Sequence, residues 1–332
     1  MTEEDAALIA CGRIADLLGG QGFNRIDYDY DKPDLITVFV SSESVRSGIR
    51  NLLPSDIAVQ EPNSARFVFK IALELGPAAD TLIKKVLPGE NENAPAPVVP
   101  MCGGDPVYVQ EIPAWGTAGV FVRALNFEIS DHIGNKYVIN AVNCFLSNNH
   151  VIAGLDTLPP NTPLGVGSKC NVLGNGQGIG SRLCGFVPLS NILMDIDFSV
   201  GDRLDAPPKI FRPGELRNIG PINNVWRNPW EKGETIRKSG ARTHVTQSET
   251  RGRGIINAPG AGGKMRQYRG VYKTGENFSD HGDSGSIVIG DNNDVVGMLA
   301  WGIDDGSRVG YFWTFGQQLP FSRYQVGISA SI

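Results

Sequence analysis

Asp280-His281-Gly282-Asp283-Ser284-Gly285-Ser286 is the stretch on which the fold of this chain turns. A serine hydroxyl is a poor nucleophile at its own pKa. It needs a base beside it and hydrogen-bond donors aimed at the oxygen that becomes negative. Glycines on both sides of Asp283-Ser284 allow a tight turn and close approach of a carbonyl group. The N–H groups of Gly282 and Ser284 can then converge on one developing oxyanion. A Gly/Asp/Ser cluster is also an ordinary turn, so the stretch carries chemistry only if the rest of the chain supplies a base.

The chain has four histidines, His132, His150, His244 and His281. His150 follows Phe145-Leu146-Ser147-Asn148-Asn149: an apolar, strand-like run from Tyr137 to Leu146 ends in a polar turn that carries the imidazole. Rigid elements position catalytic groups well, although a lone histidine is more often a cap or a satisfied core residue. A carboxylate is then needed to hold the imidazole tautomer and stabilise its cation. Ile192-Leu193-Met194-Asp195-Ile196-Asp197-Phe198-Ser199-Val200 reads as a strand, with Asp195 and Asp197 on one side of it. Asp197, followed by Phe-Ser-Val, is the favoured candidate, because a buried carboxylate requires a partner and His150 can be that partner. Asp195 is the second choice; either aspartate can instead cap a turn at the solvent edge.

With His150, Asp197 and Ser284 in that order, the chain resembles the chymotrypsin/trypsin-like serine peptidases, and not the subtilisin-like or α/β-hydrolase orders. Val296-Gly297-Met298-Leu299-Ala300-Trp301-Gly302 resembles that family's strand beside the specificity pocket. Gly310-Tyr311-Phe312 resembles the pocket's far wall, and Gly116-Thr117-Ala118-Gly119-Val120-Phe121-Val122 the first strand of the N-terminal barrel. A narrower resemblance is to the intracellular bacterial trypsin-like peptidases and the plant NARROW LEAF 1 type. It rests on Gly116 to Gly119, on Leu146-Ser147-Asn148-Asn149-His150-Val151, and on Lys238-Ser239-Gly240-Ala241-Arg242-Thr243, where Ala241 interrupts the motif. The resemblance spans roughly residues 113–325.

What it implies is a mostly β protein of two six-stranded antiparallel β-barrels, preceded by a small α/β N-terminal domain. The expected function is a serine endopeptidase acting through an acyl-enzyme. Ser284 would attack, His150 transfer protons and Asp197 orient His150, with Gly282 and Ser284 N–H as the oxyanion hole. The substrate-binding residues implied are Phe278 (pocket floor), Ser279, His281, Ala300, Trp301, Gly302 and Gly310. Uncharged Phe278 implies small or medium apolar side chains, unless Asp280 turns inward. The aspartate before the nucleophile, Asp283, pairs in secreted zymogens with a freshly cut amino terminus; here a cut near Pro113 or an internal donor such as Arg242 are the alternatives. A catalytically silent, protein-binding adaptor of the same fold is the alternative function, and an esterase would use the same triad.

The 332 residues exceed the roughly 200–250 of one all-β unit. The expected organisation is a small α/β unit over residues 1–87 (regulatory or interaction), a linker over 88–106, one barrel over 107–205 and another over 206–332. Apolar spacing predicts a helix over 5–19. Strands are expected at Leu35–Val40, Ile57–Val59 and Ala65–Ile71, with a helix from Glu43 to about Leu53 capped by Ser41 or Ser42. Pro88 to Pro100 reads as linker, Pro207 to Pro229 as the crossing between barrels, and glycine-rich Glu249 to Gly275 as a long, mobile or cleavable loop. Arg251-Gly252-Arg253 reads as a solvated loop cluster.

A net charge of −5 gives no reason to expect nucleic acid as a partner. No stretch of 18 or more apolar residues suggests a membrane span, and the acidic N-terminus lacks signal-peptide character. Five cysteines, Cys11, Cys102, Cys144, Cys170 and Cys184, show no framework spacing, so reduced thiols and a cytoplasmic location are expected. No spacing suggests a zinc site and the chemistry needs no metal or organic cofactor. The expected partner is a protein or peptide substrate; the N-terminal unit is available for a regulatory partner or a homo-oligomer contact.

Overall fold

Thr2 opens the first element. Its hydroxyl accepts from Asp5 N at 3.1 Å while the Asp5 carboxylate accepts from Thr2 N at 3.0 Å. This reciprocal cap starts α1 (Glu3–Leu18), which stops at Gly19 in the left-handed region, φ 56°. The computed structural model describes residues 1–19, 22–62, 64–85, 100–109, 114–131, 133–166, 179–191, 196–202, 211–229, 232–316 and 324–332. α1 lays Ala6, Ala10, Cys11 and Ile14 on a sheet core with Ile26, Val38 and Phe69. That sheet is built from β1 (Phe23–Asp29), β2 (Leu35–Val40), β3 (Asp56–Val59) and β4 (Phe67–Leu75), with α2 (Glu43–Arg50) after β2. Ser42 caps α2 by accepting from Val45 N; the helix ends at Arg50, short of the expected Leu53. β5 (Ala79–Thr81) and β6 (Lys84–Lys85) follow.

The next elements are β7 (Met101–Gly103), β8 (Asp105–Val109), β9 (Ala114–Ala118), β10 (Val120–Asp131), β11 (Lys136–Ser147), α3 (Asn149–Ile152), β12 (Pro163–Val166), β13 (Ile179–Phe186) and β14 (Ser199–Asp202). The expected continuous strand Gly116–Val122 is broken at Gly119, between β9 and β10. Gly119 N donates to Leu146 O at 2.7 Å, and a Cβ there would collide with Gly285 O. Beyond them come β15 (Phe211–Leu216), β16 (Gly220–Pro221), β17 (Thr235–Gly240), β18 (His244–Pro259), β19 (Met265–Thr274), β20 (Ile287–Ile289), β21 (Val295–Ile303), β22 (Gly310–Trp313) and β23 (Tyr324–Ser331).

The chain is mostly β, and its sheets curl into barrel-like arrangements. One sheet runs β23-β10-β11-β14-β13-β12-β8-β9-β6, so the C-terminal strand closes onto β10. The other contains the ring β17-β20-β21-β22-β19-β18, closed by the β17–β18 pairing: six antiparallel strands around Ile256, Ile287, Met298 and Trp313. β15 joins β7 and β16 in a three-stranded sheet within the expected crossing, whose residues 207–210 lie outside the described residues, as does the linker from 86 to 99.

Two expectations fail, for one reason. Glu249–Gly275 is a paired β18–β19 hairpin with a short turn, not a loop. Arg251-Gly252-Arg253 is strand, with Arg253 13% exposed, bonded to Glu4 at 3.2 Å and packed over the Tyr272 ring at 4.3 Å. The glycines that suggested a loop are there because β1 joins the outer edge of β18: a Cβ at Gly252 or Gly254 would meet Tyr28 O or Ile26 O. The N-terminal sheet is therefore continuous with the second barrel, through Arg25↔Ile256 to Asp29↔Gly252. Asp27, buried beneath this seam, accepts from Tyr311 Oη at 3.1 Å and faces Lys273 Nζ at 3.2 Å.

Cys11, Cys102, Cys144 and Cys184 carry free thiols; Cys170 lies outside the described residues. Among the described residues no helix is long and apolar enough to cross a membrane.

Candidate active site

The Gly282–Gly285 turn is held by the strand facing it. Thr117 N donates to Ser284 O at 2.7 Å, and Thr117 Oγ1 to Gly282 O at 2.8 Å. Ser147 Oγ donates to Thr117 O at 2.9 Å. Gly282 and Gly285 adopt φ 110° and 95°, conformations that favour glycine. A Cβ on Gly282 would also fall 2.7 Å from the Trp115 ring, and one on Gly285 would strike Thr117 O. The Gly-Thr-Ala-Gly and Gly-Asp-Ser-Gly motifs are thus two halves of one backbone contact between the barrels, which presents the Gly282 and Ser284 N–H groups on the same side.

His150 sits in the one-turn helix α3 at the end of β11. The first N–H groups of a helix lack intrahelical partners; Asp197 Oδ1 accepts from His150 N at 3.1 Å, and Asp197 Oδ2 lies 2.5 Å from His150 Nδ1. One carboxylate thereby sets both the helix start and the ring orientation. On the ring's other side, His150 Nε2 is hydrogen-bonded to Ser284 Oγ. That hydroxyl also lies 2.9 Å from Ala300 O and 3.3 Å from Asn148 Oδ1. All three side chains are buried, with Asp197 and Ser284 at 0% exposure. Asp197 precedes β14 instead of lying in a strand, and its main chain is pinned: Asn148 Nδ2 and Trp313 Nε1 both donate to Asp197 O, at 2.6 and 3.1 Å. Asp195 lies outside the described residues.

Asp283 finds internal donors in this structure, the Arg242 main chain among them. Its carboxylate accepts from Arg242 N and Thr243 N, both at 3.0 Å, from Thr243 Oγ1 at 2.7 Å and from Asp280 N at 3.0 Å. Its counter-ion is Lys238 Nζ at 3.1 Å, and neither side chain has any solvent exposure. Burial pushes the Lys238 ammonium below its ordinary pKa, with Asp283 opposing that shift. Gly240 leaves the space, since a Cβ there would overlap Asp283 Oδ1. Lys238 opens the Lys238–Thr243 motif, but nothing in a linear sequence marks a β17 lysine as facing an aspartate from the β19–β20 connection; the positioning contacts of Asn148 and Thr117 are hidden from the sequence for the same reason.

The expected pocket residues divide among different surroundings: Ala300 and Trp301 pack in the main barrel core, apart from Phe278. Phe278 is fully buried in a cluster with Leu299, Phe312 and Leu82. Ser279, Asp280 and His281 line a cavity of about 220 Å³ with Ile303, Gly306 and Val309. Asp280 faces Arg308 Nη2 at 3.6 Å, and His281 is half-buried. Ala300, Trp301 and Gly302 run along β21; the Trp301 ring lies 4.4 Å from that of Tyr268. Gly310 lies against Ser279, whose Oγ would be 2.9 Å from an added Cβ. His244 is the exposed first residue of β18, at φ 57°, and His132 lies outside the described residues. Among the described residues no cluster of three or more His, Cys, Asp or Glu side chains is arranged to hold a metal ion.

No protein-family model matches this sequence, and no curated protein matches it. Solved structures similar to it include Nocardiopsis protease, at 13% identity and TM-score 0.40, over 68% of this chain and 97% of that one. Thermobifida fusca protease A is similar at 15% identity and TM-score 0.39, over 64% and 90%. A glutamic acid-specific serine protease is similar at 15% identity and TM-score 0.40, over 64% and 93%.

Proposed function

We propose that this chain is a serine endopeptidase of the trypsin-like fold. The observation that carries the reading is the unbroken chain Asp197 Oδ2–His150 Nδ1 and His150 Nε2–Ser284 Oγ, beside the Gly282 and Ser284 N–H groups. Ser284 Oγ attacks a peptide carbonyl while His150 Nε2 removes its proton. Asp197 keeps Nδ1 protonated and balances the imidazolium charge. The two N–H groups stabilise the tetrahedral oxyanion, each worth about 3–4 kcal/mol. His150 then protonates the departing amine, and water returns along the same path to release the acyl group.

Binding follows from β21. Its Ala300–Gly302 edge, along which β5 pairs in this structure, takes an extended peptide as a further strand, and Gly302 and Gly310 leave room beside Phe278 for a medium apolar side chain, here that of Leu82. A polymeric peptide fits such an edge better than a small ester does. In this proposal residues 1–87 form the regulatory part, and the barrels the catalytic part. Labelling with a fluorophosphonate probe tests the reading: adduct on Ser284, lost in Ser284→Ala, is the expected result. A chain with an open cleft that takes no label would leave a silent binding module of this fold.

A further inference from the structure

We propose that the chain is its own substrate, and that Leu82–Ile83 is the bond Ser284 cuts in cis. The inference rests on the peptidase reading above and names its first substrate.

Residues 79–85 cross the cleft in an extended conformation, engaged on both sides of that bond. Upstream, β5 pairs antiparallel with β21 through Ala79↔Ile303, Asp80↔Gly302 and Thr81↔Trp301. Leu82 N continues the ladder, donating to Ala300 O at 3.2 Å. Downstream, β6 pairs with β9 through Lys84↔Trp115 and Lys85↔Ala114. Between them the Leu82 carbonyl oxygen accepts from Gly282 N at 2.7 Å and from Ser284 N at 3.2 Å. Two convergent N–H groups polarise that carbonyl, and one of them belongs to the residue carrying the hydroxyl. The side chains of the bond are enclosed as well: Leu82 is 4% and Ile83 7% exposed. Leu82 packs with Phe278, Leu299 and Phe312, and a Cβ on Gly302 would fall 2.5 Å from Leu82 Cδ2.

The N-terminal sheet delivers the segment. Asn24 Nδ2 donates to Gly76 O at 2.6 Å and Arg25 Nη1 to Pro77 O at 2.5 Å, and both residues lie on β1, which is locked onto β18. The fold itself supplies the ordering that a separate substrate would have to lose on binding, and such preorganisation reaches effective molarities of about 10⁵–10⁸ M. In the reaction, Ser284 Oγ bonds to the Leu82 carbonyl carbon and its proton passes to His150 Nε2. The bond to Ile83 N breaks, and that nitrogen takes the proton and leaves as an amine. Water then attacks the Leu82 ester, its proton passes through His150 to Ser284 Oγ, and the Leu82 carboxylate is released. The piece 1–82 remains joined to β18 through β1, while the β6 side of the groove is freed.

The test is intact-mass analysis of the purified full-length chain with time, across a dilution series. The expected result is conversion to 1–82 and 83–332 at a rate independent of concentration, with none in Ser284→Ala. Leu82→Pro, which lacks the N–H for Ala300 O and cannot seat the leucine side chain, is expected to stay intact and to take fluorophosphonate on Ser284. A wild-type chain that remains whole, or the same fragments from Ser284→Ala, overturns the proposal. If the whole chain persists while Leu82→Pro is labelled, residues 79–85 are an uncut inhibitory strap and the peptidase reading stands. If neither form is labelled and neither is cut, both readings fall.

Discussion

Replacing Lys238 by methionine would remove the cation from a pair with no access to solvent and leave Asp283 charged beneath the candidate nucleophile. The two charges lie 3.1 Å apart. At an effective dielectric of about 20, Coulomb attraction at that separation is roughly 5 kcal/mol. Four hydrogen bonds to the carboxylate survive the substitution, from Arg242 N, Thr243 N, Thr243 Oγ1 and Asp280 N. They moderate the loss, so the expected cost is that of breaking a buried pair by removing one partner, about 3–5 kcal/mol. With an unfolding entropy of roughly 2.1 cal/mol/K per residue, a chain this size would melt about 4–7 °C lower. The Asp283 turn also carries the Gly282 and Ser284 N–H groups, so the rate of fluorophosphonate labelling falls with it. Thermal denaturation and labelling kinetics, on Lys238→Met, Asp283→Asn and the double variant, separate charge from packing. The double variant buries no ion and should recover part of the lost stability. A double variant no more stable than Lys238→Met, or a single variant that melts and labels like wild type, would refute the electrostatic account.

Gly285→Ala should cost several kcal/mol or prevent folding, because φ 95° strains any side chain and the new methyl would meet Thr117 O; a thermal melt near the wild-type value would contradict the proposed contact between the two glycine motifs. Burial, with Cys184 and Asp202 adding to it, pushes the Cys144 thiol from 9.0 up to about 12. A folded pKa raised above the unfolded one contributes stability that is whole below the unfolded value and disappears as pH climbs through the folded value. Denaturant midpoints should therefore fall between pH 9 and 12, and less steeply in Cys144→Ala; an identical slope in that variant would count against it.

Several elements were legible because they depend on neighbours in sequence. The Ser42 cap, the apolar face of α1 and the apolar run from Tyr137 to Leu146 are local signals, and each produced its element within a few residues. The candidate site at Ser284 was legible for a similar reason, since a serine flanked by glycines and a histidine at a strand end are short motifs. The β18–β19 hairpin was misread because glycine has two uses: Gly252 and Gly254 are absent of side chains to admit the β1 backbone, a partner more than 200 residues away in sequence.

The linear order of residues was enough to establish a β-rich chain and the motif order His150, Asp197, Ser284, because residue type and spacing carry that information. Three-dimensional packing alone decided that Lys238 is the ion facing Asp283, that the N-terminal sheet extends the second barrel, and that Leu82 lies with its carbonyl between the Gly282 and Ser284 amides. Those contacts join residues far apart along the chain, and only the balance of burial, pairing and charge over the whole fold selects among the many partners each could have met.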